Sequence, residues 1–187
     1  MELALYGGAF NPPHNAHKKI IEYCYNRFDL VIVMPNGKSV NKKIDISKHH
    51  RLKMLEMVTE DYNERVVIDS YEIDSTTKNY SIDTIKYLEE KYSSYKISMI
   101  IGSDQLLDFD SWKENKKILD KVDIICINRF NNKVIKMINE VEYVNDINID
   151  ISSSHIKLQL QNKLPINESL IDPRVLHYIE QNKLYAS

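Results

Sequence analysis

Five short apolar runs recur along the chain, at residues 3–6, 29–34, 65–70, 97–101 and 122–127, each rich in Val, Ile, Leu or Tyr and bounded by polar or turn residues. Runs of this length with little polar alternation are what strands look like when both faces of a sheet are covered. Helical patterns fill the gaps. Ile20, Ile21 and Cys24 form one stripe over 17–27; Leu52, Met54, Leu55 and Val58 form another over 48–60, behind Ser47 as an N-cap; Ile82, Ile85 and Leu88 form a third over 81–92. Strand and helix alternating in this way predict an α/β fold with a parallel sheet, right-handed crossovers and helices on both faces. After a less regular stretch at 128–150, Ser152-Ser153-Ser154 opens a pattern through 161 and Pro173 starts a last helix to about Gln181, giving a small helical C-terminal part.

With 187 residues, the chain is long enough to bury roughly 70% of its unfolded surface, and no boundary interrupts it, so a single domain over 1–187 is expected. Its 25 Lys and Arg against 27 Asp and Glu leave a formal charge of −2, which gathers neither nucleic acid nor anionic lipid. The start lacks a basic leader and no apolar run approaches ~20 residues, so a cytoplasmic protein without membrane contact is expected. Cys24 and Cys126 are too few for a disulfide framework or a thiolate zinc site and are assigned to packing. Gly occurs only four times, so each glycine is expected to mark a special backbone conformation.

A parallel sheet binds ligands beyond the carboxyl ends of its strands, and the segments with chemical character fall there. After the first run comes Gly7-Gly8-Ala9-Phe10-Asn11-Pro12-Pro13-His14-Asn15-Ala16-His17, where glycines admit a bulky anion, prolines stiffen the loop and two imidazoles face a helix start. Both rings can donate to phosphoryl oxygens. A zinc pair and a purely structural turn are the other readings of the two histidines, and no Cys or third His stands at matching spacing. Lys38, Lys42 and Lys43 follow the second run, Gly102-Ser103-Asp104 and Trp112 the fourth, and Arg129 the fifth. Asp104 can accept from a ribose hydroxyl or cap a helix; Trp112 can offer a flat surface to an aromatic ring or pack in the core. Ile151-Ser152-Ser153-Ser154-His155-Ile156-Lys157 opens a helix with three hydroxyls and a cation within one turn, which suits a phosphate and equally a plain N-cap.

Laid out in order, these segments resemble the bacterial nicotinate mononucleotide adenylyltransferases, within the wider nucleotidyltransferase superfamily that shares a GxFxPxHxGH-like loop. Residues 7–17 fit the first motif, Ile101-Gly102-Ser103-Asp104 with Trp112 the middle one, and Ile151 to Lys157 the late ISSTxIR signature; Tyr178 to Tyr185 resembles the family's ending. The resemblance implies a Rossmann-like doubly wound fold that transfers AMP from ATP to the 5′-phosphate of nicotinate mononucleotide, with Mg2+ accompanying ATP, yielding deamido-NAD and pyrophosphate. It implies that Gly7, Gly8, Ala9, Phe10, His14 and His17 hold ATP together with Gly102, Asp104, Ile151, Ser152, Ser153, Ser154 and Lys157. Lys42, Tyr80, Ser81, Asp83, Thr84, Trp112 and Arg129 would meet the acceptor, with Trp112 stacking on nicotinate. His14, His17, Lys42 and Lys157 would carry catalysis by neutralising charge around an in-line attack on the α-phosphorus, with no dedicated metal ligands in the protein.

The chain departs from the family pattern at four places. Ser39-Val40-Asn41 stands for Pro-Pro-His over the mononucleotide, Ala16 for Gly, Ala9 for Thr, and Lys157 for Arg, the last keeping charge but losing the bidentate fork. Transfer to nicotinamide mononucleotide or phosphopantetheine, and a nucleotide-binding regulatory protein without chemistry, are the competing readings. The preference between acid and amide acceptor and the oligomeric state, a homo-oligomer included, are not legible in the sequence.

Overall fold

In a computed structural model of the chain, the described residues are 1–37, 46–128, 138, 140–145, 147 and 151–185. Strands β1 (Glu2–Gly8), β2 (Leu30–Pro35), β3 (Val66–Ile68), β4 (Lys96–Gly102), β5 (Asp123–Ile127) and β6 (Val141–Val144) form one sheet in the order β3-β2-β1-β4-β5-β6. All five pairings are parallel. The five apolar runs are the first five strands; β6 lies inside the stretch expected to be less regular.

The helices are α1 (Asn15–Arg27), α2 (Lys48–Thr59), α3 (Tyr71–Asp74), α4 (Ser81–Lys91), α5 (Ser103–Leu107), α6 (Asn115–Lys121), α7 (Ser153–Gln161) and α8 (Pro173–Gln181), with a 3-10 turn at Phe109–Ser111. They cover both faces of the sheet, as the alternation predicts. Ala4, Tyr6, Val31 and Val33 turn to one face and pack with Ile20 and Ile21 of α1, Met54 and Leu55 of α2, Ile156 of α7 and Val175 of α8. Leu3, Leu5, Ile32 and Met34 turn to the other and pack with Ile82 and Ile85 of α4 and Ile118 of α6. Successive side chains of a strand point to opposite faces, so each central strand feeds two cores and has no polar side. Ser47 does stand at the N-cap of α2, but without a side-chain cap bond. Both cysteines are buried, as expected of packing residues, and burial pushes the Cys24 thiol up to about 12 and the Cys126 thiol to about 11.

The glycine expectation needs correction. No glycine has positive φ; what distinguishes two of them is the room they leave. A Cβ on Gly8 would lie 3.1 Å from the Phe10 ring, and one on Gly37 would lie 2.1 Å from the Glu72 carbonyl oxygen. Gly37 therefore lets the end of β2 pass against α3. Gly37→Ala is expected to cost about 2 kcal/mol by overpacking, which for a chain of this size lowers Tm by roughly 4–8 °C, read by thermal denaturation.

The corner where α1, the end of α2 and α8 meet is held by charge. Lys18 Nζ lies 2.7 Å from Asp61 Oδ2, and Arg174 bonds Asp61, Asp172 and Glu60, with Nη2 at 3.1 Å from Asp61 Oδ2 and 2.7 Å from Asp172 Oδ2. Hydrogen bonds from Arg174 and then Lys18 hold the Asp61 carboxyl down at about 2, and Arg174 likewise lowers Asp172. A carboxyl depressed in the folded state contributes stability that is present above its unfolded pKa of about 3.9 and is lost as pH falls through the folded value. Asp61 is half in solvent, so its share is about 1 kcal/mol or less. Denaturant unfolding of the wild type should therefore weaken between about pH 4 and pH 2, and Arg174→Met should flatten that segment of the profile.

Candidate active site

At the centre of the sheet, β1 and β4 lie side by side. From β1 the order runs outward through β2 and β3, and from β4 through β5 and β6. This reversal marks the carboxyl ends of the two central strands as the place where open α/β sheets take ligands. Gly7 and Gly8 end β1, and Gly102 ends β4.

The loop leaving β1 is tightly built. Asn36 N donates to Gly8 O at 2.8 Å, tying the ends of β1 and β2 together. Phe10 is buried, lies flat against Gly8 and meets the Tyr6 and His17 rings edge-on at 5.5 and 4.9 Å. Its φ of 45° is in the left-handed region, which costs energy for a side chain of that size and persists only where the surroundings enforce it. The Asn11–Pro12 peptide is cis.

His14 sits at the N-cap of α1 in extended conformation and His17 one turn inside the helix. Both are buried, and their rings lie 3.7 Å apart at 33°. His14 N donates to His17 Nδ1 at 3.1 Å. An Nδ1 that accepts a backbone N–H is unprotonated, so the His17 proton sits on Nε2. The pair is therefore preorganised at a helix start, where backbone N–H groups and the helix dipole favour an anion.

The late serine segment reaches the same place. Ser153 Oγ donates to Pro12 O at 2.9 Å across 141 positions of sequence. Ile156, one turn on, is buried in the same core as Phe10 and Ala16, and Lys157 follows it on α7. Ser152 is the N-cap, its hydroxyl accepting from His155 N at 3.2 Å, so the capping reading holds for that residue. Ser154 is exposed in the first turn and Ile151 half-buried just before it. The first turn of α1 is fastened to the C-terminal part as well: Asn15 N donates to Leu170 O at 3.0 Å and Asn15 Nδ2 to Ser169 O at 2.9 Å.

On the β4 side, Gly102 N donates to Gln105 Oε1 at 3.1 Å and Asp104 is exposed in the first turn of α5. Trp112 is half-buried, its ring 5.3 Å from Phe109 and packed on the second core, so it is partly a core residue with a remaining exposed face. At the start of α4, the Tyr80 ring lies under Lys113 Nζ at 4.4 Å and Lys78 Nζ at 5.1 Å. Ser81 is the first helical residue, and Asp83 pairs with Lys113 at 3.4 Å. Thr84 departs from expectation. It is buried and donates its hydroxyl to Glu72 Oε1 at 2.6 Å, so it fastens α4 to α3 and does not face a ligand. Lys42 and Arg129 lie outside the described residues.

Two residues not expected in the site touch the loop, one of them, Tyr185, from the ending that resembles the family's. Arg51 of α2 donates from Nη1 to Ala9 O at 2.9 Å, and Tyr185 donates to Asn11 Oδ1 at 2.6 Å. Their signal was weak: an arginine beside an apolar stripe reads as a solvated face, and a tyrosine 174 positions away has no local pattern.

A two-lobed α/β sheet with a glycine–histidine loop at its reversal point, buttressed by a serine-led helix, defines a nucleotide-binding transferase. The chain belongs to the cytidylyltransferase-like family, whose model matches residues 5–159, and it is a nucleotidyltransferase. Similar curated proteins are called probable nicotinate-nucleotide adenylyltransferases. The one from Borreliella burgdorferi is 35% identical, covering 100% of this chain and 97% of its own length, and that from Flavobacterium psychrophilum is 30% identical, covering 99% of each. Among solved structures, the Plasmodium falciparum nicotinic acid mononucleotide adenylyltransferase complexed with NaAD superposes with a TM-score of 0.84 at 23% identity, over 98% of this chain and 97% of that one. That likeness bears out the Rossmann-like fold.

The link between α7 and the loop can be tested directly. Ser153→Ala leaves Pro12 O without its partner and is expected to cost about 1 kcal/mol, lowering Tm by roughly 2–4 °C and raising the KM for ATP more than that for the acceptor.

Proposed function

We propose that this nucleotidyltransferase moves AMP from ATP to the 5′-phosphate of nicotinate mononucleotide, releasing pyrophosphate and forming the dinucleotide deamido-NAD on the route to NAD. The observation that carries this reading is the Ser153–Pro12 contact, which brings the serine-led helix against the histidine loop; in this reading one polyphosphate takes donors from both. The names of the full-length relatives support the same reaction and acceptor.

In this reading the reaction is a direct in-line displacement. An oxygen of the mononucleotide phosphate attacks the α-phosphorus of ATP, the bond to the bridging oxygen breaks, and pyrophosphate leaves. Nothing on the protein need act as nucleophile. Both reactants are anions, so the protein's task is to align them and to meet the charge that gathers on the transferring phosphoryl group. His17 offers Nε2–H from a ring fixed by its Nδ1 contact, His14 supports it face to face, and the α1 amides and Lys157 meet the phosphates. Gly102 and Asp104 line the adenosine side. Trp112 and the start of α4 at Ser81, with Tyr80 beside it, line the acceptor side. Lys42 is assigned to the phosphates and the acceptor on its place after the second apolar run and the family resemblance, and Arg129 to the acceptor on its place after the fifth run.

Magnesium is taken to enter as the ATP complex, where it draws charge off the leaving pyrophosphate. Among the described residues no group of three or more His, Cys, Asp or Glu side chains is placed to cage an ion. Among the same residues no helix is long and apolar enough to cross a membrane.

Pyrophosphate release, measured with ATP and each of nicotinate mononucleotide, nicotinamide mononucleotide and phosphopantetheine, is expected to be fastest with the first. Equal or greater release with another acceptor would replace the assignment, and none with any of them would remove the reaction. His17→Ala should lower kcat by about 10²-fold or more, the scale of losing one transition-state donor, with a far smaller effect on thermal stability.

A further inference from the structure

Arg51 is an unusual residue for its position. Its side chain is 2% exposed, yet among the described residues no carboxylate pairs with it, and its buried Nε has no hydrogen-bond partner there. Its recorded hydrogen bond runs from Nη1 to Ala9 O. Burial depresses the guanidinium's affinity for its proton, and only the Tyr185 phenol works the other way. A charge taken out of water without a counter-charge is costly, and proteins keep one where an anion answers it.

What lies over Arg51 is the phosphate loop at its most strained point. Phe10, with φ of 45°, stands between Ala9, held by Arg51, and Asn11, held by the Tyr185 hydroxyl at 2.6 Å. Tyr185 itself has φ of 62°. The left-handed turn at Phe10 is thus fixed on both sides, from α2 and from beyond α8, and the ring that results lies against Gly8 and His17.

We propose that Arg51 is a positioning residue for polyphosphate binding: with Tyr185 it clamps the loop around Phe10, and its buried, uncompensated positive charge is answered by the phosphate groups of the nucleotide. The proposal rests on the reading that this loop takes the phosphates of ATP. It makes the loop selective for charge, so that phosphates contribute to affinity through Arg51 and the nucleoside does not.

The test is calorimetric titration of the full chain, without acceptor, with MgATP, inorganic tripolyphosphate and adenosine. Arg51→Met is expected to weaken MgATP and tripolyphosphate by about tenfold, the scale of losing one partly screened charge, and to leave adenosine unchanged. Arg51→Lys, which keeps charge and a donor, should recover most of that loss. Tyr185→Phe should weaken the phosphate ligands in the same selective way while raising the KM of the acceptor little. An unchanged ratio of MgATP to adenosine affinity in Arg51→Met overturns the proposal, as does equal weakening of both. Should Arg51→Met fail to fold, Tyr185→Phe is read on the same ratio, and a wild-type ratio there overturns it. A wild-type protein that binds MgATP but releases no pyrophosphate with any acceptor would remove the transfer reaction and leave this comparison intact.

Discussion

The parallel pairing of β1 with β4 is the constraint from which the rest follows. Leu3 to Tyr6 lie in register with Ile97 to Ile100, two strands nearly a hundred residues apart in sequence, and each carries its own half-sheet outward. Because both faces of these strands are buried, a slip of one residue would exchange the two cores entirely. That fixed register sets Gly8 and Gly102 at one level, and the loops beyond them leave the same edge of the sheet side by side.

On this base the site is assembled by long-range polar contacts that are individually weak. Ser153 reaches Pro12, Asn15 reaches the 168–170 segment, Arg51 reaches Ala9 and Tyr185 reaches Asn11. Each bond ends on the loop or on the helix start it feeds. A single one contributes on the order of 1 kcal/mol, yet together they hold a left-handed phenylalanine and two closely tilted imidazoles in one arrangement. Rigidity is what such a site needs, since donors that are already aimed do not have to reorganise during transfer.

The sheet was legible because doubly covered strands leave continuous apolar runs. β6 escaped because it is four residues long and begins Val-Glu-Tyr at the edge, buried at Val141 and exposed at Glu142. Helices α3, α5 and α6 are too short to show a period, whereas α4, α7 and α8 carried both stripe and start signal. In the site, the loop could be read because glycine, proline and histidine have few other reasons to crowd together. The Thr84 hydroxyl turns inward to Glu72, a direction that a sequence motif does not report. Arg51 had no local signal and Tyr185 only the family-like ending, because their partners are backbone and amide groups brought near only by folding.

Tyr185 stands beyond every strand and helix, while the residue it grips is the eleventh. That grip spans 174 positions of sequence, so the loop keeps its shape only while the segment past α8 stays docked beside it. Local fraying there would disorganise the reaction centre while sparing both half-sheets, a partial opening of a kind that folded chains visit well below the cost of global unfolding.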